Sequence, residues 1–147
     1  TLDVKEVVGG DRFAFIPSLN IRYLIGDEVP VPFTNTMGGS MAGRYLDQQI
    51  PFIGINNAAA MQKILGVVRT DFRFKLFKNN YFTTIANYAL SCDEISAFKN
   101  WNEEVAGYLG CGLQYTYNSI VGPLSFNVHW SSYTHNVGLY LSLGFDF

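Results

Sequence analysis

Charge is what this sequence most lacks. Between Val105 and Phe145 there is no Asp, Glu, Lys or Arg, and only His129 and His135 could ionise. Charged side chains make up 15% of the 147 residues, against about 25% in a typical soluble domain. No window of about 18 apolar residues occurs, which excludes a transmembrane helix. Basic residues are not in surplus: ten Lys and Arg against twelve Asp and Glu leave a net charge of −2. That argues against a nucleic-acid partner, because phosphate neutralisation needs cations. Cysteine is limited to Cys92 and Cys111 with no CxxC, so a structural zinc site is not expected. A single disulfide and two buried thiols both stay open. His129 and His135 have no carboxylates spaced to join them, so no metal or other cofactor is expected. No initiating Met or signal peptide precedes Thr1, which implies a processed or partial chain.

What is abundant is apolar and aromatic. Hydrophobic residues reach 48% and aromatic ones 16%, too many for an intrinsically disordered chain. The length suits one domain, residues 1–147. The apolar residues recur with period two, the signature of strands. In the last segment Val137, Leu139, Leu141, Leu143, Phe145 and Phe147 oppose Gly138, Tyr140, Ser142, Gly144 and Asp146. Before it, Leu124, Phe126, Val128 and Trp130 oppose Ser125, Asn127, His129 and Ser131. Segment 63–77 sets Ile64, Val68, Phe72, Phe74 and Leu76 against a charged row, Arg69, Asp71, Arg73 and Lys75. Near the start Phe13, Phe15, Leu19, Ile21 and Tyr23 oppose Arg12, Ser18, Asn20 and Arg22. Segments 80–91 and 105–119 alternate less sharply.

Such segments run to roughly 11–15 residues, where soluble strands average about 5–6. Eleven residues at about 3.3 Å each, tilted by about 45°, span about 25 Å, the apolar band of an outer-membrane barrel. Lys78-Asn79-Asn80 and Gly122-Pro123 read as tight turns. Residues 27–40 read as a long Pro/Gly-rich loop, and 93–104 allow a short helix capped by Asp93. Tyr23, Phe77, Tyr81, Tyr115, Tyr117, Trp130 and Tyr133 lie near strand ends and suit interfacial girdles. A soluble ligand-binding barrel with the apolar rows inside is the competing reading. Its outer surface would then be Ser, Asn, Gly and Tyr without charge over the whole C-terminal third, and poorly soluble. The expectation is therefore an all-β, antiparallel up-and-down barrel of membrane type, with seven to eight long strands, one long loop and one short helix at most.

The ending Gly138-Leu-Tyr-Leu-Ser-Leu-Gly-Phe-Asp-Phe147 resembles the terminal assembly signal of outer-membrane barrels, carried here by Leu139, Leu141, Leu143, Phe145 and Phe147. The order of Arg69-Thr-Asp-Phe-Arg-Phe-Lys75, the glycine-rich Gly107-Tyr-Leu-Gly-Cys-Gly-Leu113, Gly122-Pro-Leu124 and the final strand is similar to the closing strands of the BamA/TamA-type barrels, the bacterial surface antigen family. Gly43-Arg44-Tyr45 resembles the Arg-containing motif of that family's inward-folded loop. The variant is most similar to barrels fused to patatin-like phospholipases in Bacteroidetes-type bacteria, over roughly residues 12–147. The resemblance implies an outer-membrane location, with the membrane lipid, the outer-membrane assembly machinery and an upstream domain of the same protein as partners. It also implies a lock between the loop Arg44 and a strand acid, here replaced by Asn87 and so weaker than a charge-assisted pair. Family barrels have sixteen strands, so this chain would be the C-terminal half. Closure on itself, pairing with a second copy as a homodimer, and membership of a larger sheet all stay open.

Catalysis is not expected in this chain. No Asp-Gly dipeptide occurs, and Gly38-Gly-Ser40-Met-Ala42 lacks both the final Gly and the strand–helix setting of a nucleophile elbow. A phospholipase site would lie upstream of Thr1. The enzyme alternative is a small outer-membrane lipid deacylase using His129 and Ser131 with Asp146. It needs His–Ser contact and an orienting acid, on a face that here points to the lumen. The charged row Arg69, Asp71, Arg73 and Lys75 reads first as lumen packing, then as a pore lining or a seat for the loop.

Overall fold

The computed structural model of the chain describes residues 1–26, 33–39, 49–56, 58–94, 96, 99, 104–120 and 122–144. The strands are β1 (Leu2–Lys5), β2 (Val8–Gly9), β3 (Phe13–Tyr23), β4 (Thr36–Met37), β5 (Gln49–Ile50), β6 (Ala59–Ala60), β7 (Ile64–Phe77), β8 (Asn80–Cys92), β9 (Ala106–Ser119), β10 (Gly122–Ser131) and β11 (Val137–Leu143). One sheet runs β1-β3-β7-β8-β9-β10-β11, antiparallel throughout, with β2 also on β3. The long connection between β3 and β7 carries its own three-stranded sheet, β5-β4-β6.

Strand pleating sends alternate residues to opposite faces, and the two faces differ chemically. One carries Phe13, Leu19, Ile21, Val68, Phe72, Phe74, Tyr88, Leu109, Leu113, Phe126, Leu139 and Leu141. On β3 and β7 to β11 this face holds no Asp, Glu, Lys, Arg or His. It is also bare: Leu139, Leu141 and Leu143 are 67%, 68% and 70% exposed. The other face carries Ser18, Arg69, Asp71, Thr83, Asn87, Gln114, Asn127, His129 and Ser131, and the β3–β7 connection packs on it. Asn87, Asn127 and Ser131 are buried there.

The wall is curled toward its polar face. Asp3 and Lys5 of β1 and Tyr140 and Ser142 of β11 line one cavity of about 610 Å³, although β1 and β11 do not pair. The sheet is thus an up-and-down barrel wall left open at its edges. Its ends are stepped as closure requires. Asn80, the first residue of β8, pairs with Tyr117, but β9 continues to Ser119 before turning to Gly122. Two residues of about 3.3 Å gained over two strands of about 4.8 Å is a tilt of about 35°, at the lower edge of the barrel range.

Several expectations change. The N-terminal strand was not legible. β1 and β2 keep a single register along β3 and are interrupted opposite Pro17. Glu6 N–H donates to the Pro17 carbonyl at 3.1 Å, but Pro17 has no N–H to return the bond, and the ladder breaks there. Gly122 and Pro123 open β10 rather than form the turn, with Gly122 at a φ of 122°. Tyr81 pairs with Lys75, on the polar face rather than in an outer girdle, because the odd positions of β8 point inward. Both cysteines are free. Cys92 is buried, and Cys111 is exposed on the apolar face. Most of 93–104, where a short helix was allowed, lies outside the described residues.

The apolar core lies between the connection and the wall, not within the sheet. Met37, Ile50, Phe52 and Ile55 of the connection pack on Leu65 and Val67 of β7 and Ala89 of β8. The alternation of β7 switches here from charged to apolar on its inner parity, and that switch marks where the connection sits.

Candidate functional site

The connection is held in a trough that β9 creates. Its Gly110-Cys111-Gly112 run places two glycines on the inner face and the thiol on the outer one, two residues apart and so on one side of the pleat. Asn87 of β8 and Ser131 of β10 flank Gly110 in register, and His129 flanks Gly112. Residues 52–54 lie in this trough. A Cβ at Gly110 would collide with the Ile53 carbonyl oxygen, Asn87 Nδ2 and the Phe52 ring, and one at Gly112 would meet the Ile53 side chain at 3.0 Å. Glycine is required here for close approach rather than for an unusual φ.

Hydrogen bonds then fix the segment. Ile53 N–H donates to Asn87 Oδ1 at 3.1 Å, and Asn87 Nδ2 donates back to the Ile53 carbonyl at 3.4 Å. The side-chain amide therefore acts like one residue of a neighbouring strand. Ser131 Oγ donates to the Gly54 carbonyl at 3.0 Å, and Thr134 Oγ1 donates to the same oxygen at 3.2 Å. His129 lies with Nε2 2.7 Å from Asn56 Oδ1 and Nδ1 3.0 Å from Asn127 Oδ1. Its ring needs the bare Gly138 on β11, since a Cβ there would strike Nε2. Neutral hydrogen bonds of this kind contribute about 0.5–1.5 kcal/mol each, and a buried polar group left without its partner costs about 1–3 kcal/mol.

Below the segment the inner face stays polar. Asn127 Nδ2 donates to Gln114 Oε1 at 3.5 Å, Gln114 Nε2 donates to Thr116 Oγ1 at 3.1 Å, and Thr116 and Ser125 hydroxyls are 3.0 Å apart. The charged row occupies the facing side. Arg69 pairs with Asp71 through two bonds of 2.8 and 3.0 Å, Arg73 lines the cavity, and Lys75 is exposed.

Among the candidate residues, Asn87 meets the loop through the Ile53 main chain. Arg44 lies outside the described residues, as do Ser40, Asp146, Phe145 and Phe147. Leu139, Leu141 and Leu143 occupy the bare apolar face. His129 and Ser131 share the inner face, but each is engaged by the connection and no hydrogen bond joins them. Among the described residues no three His, Cys, Asp or Glu could hold a metal ion, and no helix is long and apolar enough to cross a membrane. Ile53, Gly54, Asn56 and Thr134 were not anticipated. Their contacts are mostly to main chain, which leaves no mark in side-chain pattern; the Gly110/Gly112 spacing was the signal that could have marked the trough.

No match was found among curated proteins or among solved structures. The family model described as the OMP85 superfamily matches residues 13–147. That superfamily is one of outer-membrane β-barrels. With an outward face that carries no charge on β3 and β7 to β11, a curled antiparallel wall and a match over nearly all its length, this chain belongs to the OMP85 superfamily.

Proposed function

We propose that the chain is the membrane-embedded C-terminal part of a BamA/TamA-type barrel in the bacterial outer membrane. It anchors an attached upstream domain and helps to pass it, or what it handles, across the membrane. The observation that carries this reading is the inversion of the two faces. The charge-free Leu, Val and Phe rows are uncovered, and the polar rows face the cavity and the inserted connection. In water that arrangement is unfavourable; in a bilayer it is what the solvent demands, since a charge on the lipid face costs about 2–4 kcal/mol at the midplane. The long connections at one end and short turns at the other orient the wall with the β7–β8 and β9–β10 turns in the periplasm. A patatin-like phospholipase as the attached domain rests on the sequence resemblance alone, and its active site would lie upstream.

Spin labels test the reading. A nitroxide at Leu141→Cys should relax with oxygen and ignore a water-soluble nickel chelate in lipid vesicles, and one at Ser142→Cys should show the opposite or a restricted signal. Reversed accessibilities would return the chain to the soluble-barrel alternative.

A further inference from the structure

The trough described above recognises main chain. Asn87 binds the N–H and carbonyl of Ile53, Ser131 and Thr134 bind the carbonyl of Gly54, and Gly110 gives room for the backbone itself. A receptor that reads backbone amides is indifferent to most side chains, as in strand-addition recognition. Two features restrict what fits. Gly54 adopts a φ of +98°, and a Cβ there would lie 2.5 Å from Ser131 Cβ and 2.7 Å from the Trp130 carbonyl. Phe52 and Ile53 on its N-terminal side are fully buried.

Part of the occupying segment's backbone bonding lies within the connection itself. Gly39 N–H donates to the Ile55 carbonyl at 2.7 Å, Phe52 N–H to the Gly39 carbonyl at 3.0 Å, and Gly38 N–H to the Ile50 carbonyl at 3.0 Å. The small sheet β5-β4-β6 is paired within the connection. If it left, Asn87, His129 and Ser131 of the wall and the Ile53 N–H, Ile53 carbonyl and Gly54 carbonyl of the segment would all lose their partners. Simple release is costly for buried polar groups, whereas exchange for another backbone of the same shape is not.

We infer that the trough is a binding site for an apolar polypeptide segment that turns at a central glycine, which residues 52–56 occupy in cis as a self-ligand. The inference rests on reading the polar face as a barrel lumen and adds the ligand class that the lumen takes.

The test uses a fluorescent peptide, Gln-Ile-Pro-Phe-Ile-Gly-Ile-Asn, the sequence of residues 49–56. Gly54→Val and Ile53→Pro act on the segment and leave the trough intact. Asn56→Ala removes only the His129 contact and serves if the first two do not fold. In detergent, anisotropy should show the peptide binding at least about tenfold tighter to an ejected variant than to the unchanged chain. Adding Asn87→Ala should abolish that gain, and a peptide with Val in place of Gly should not bind. The inference is overturned if variants that keep their β-sheet circular dichroism do not bind the peptide. It is equally overturned if the unchanged chain binds as tightly, or if binding ignores Asn87→Ala or the Gly-to-Val change. Peptide binding in detergent does not depend on which face meets lipid, so its failure is separable from failure of the spin-label test.

Discussion

At Gly110 the wall leaves no space for a methyl group, because the Ile53 carbonyl, the Asn87 amide and the Phe52 ring already fill it. The nearest obstacle, the Ile53 carbonyl oxygen, is main chain, which cannot rotate away as a flexible side chain could. Gly110→Ala should therefore lower stability at least as much as Asn87→Ala. Removing the Asn87 amide leaves the buried Ile53 N–H unmet and should cost about 1–3 kcal/mol. Urea unfolding in detergent, followed by tryptophan fluorescence, measures both. Two variants with unchanged midpoints would mean that the connection is not seated as described. Asn87 stood out in the sequence because an inward amide replaces an expected acid. Its partner did not, since a backbone N–H belongs to every residue except proline.

Among the elements, Pro17 has the clearest consequence. It occupies an internal strand, where proline is rare, and is tolerated because its missing N–H faces the short N-terminal edge strand. The 6–17 pair keeps one hydrogen bond of two. Pro17→Ala supplies the second donor, so the new amide at position 17 should exchange slowly with deuterium and β1 should run on into β2. Rapid exchange there would show that residues 2–9 do not pair with β3. The strands β3, β7, β10 and β11 were legible because one face is uniformly apolar. β8 and β9 were less so: their inner parity mixes Ala, Ile and Gly with Asn and Gln where the connection covers them. The strand at 2–9 escaped notice because Glu6 interrupts an otherwise apolar even parity.

At the scale of the whole molecule, the absence of charge on one parity was enough to decide which face points outward. Burial follows the solvent, and hydrocarbon reverses the rule that water imposes. The curl, the stepped turns and the open edges were not legible. They depend on register between strands distant in sequence, and composition carries no trace of register.

One consequence concerns reagents rather than folding. Cys111 faces outward between Ala86 and Trp130, while Cys92 is buried at the far end of β8. Thiols react as thiolates, and thiolates need water. In proteoliposomes a charged methanethiosulfonate should label neither cysteine of the unmodified chain, and both should react once urea is added. Prompt labelling of Cys111 before urea would place that strand in an aqueous setting. The natural sequence thus carries its own insertion reporter, readable by mass without a single mutation.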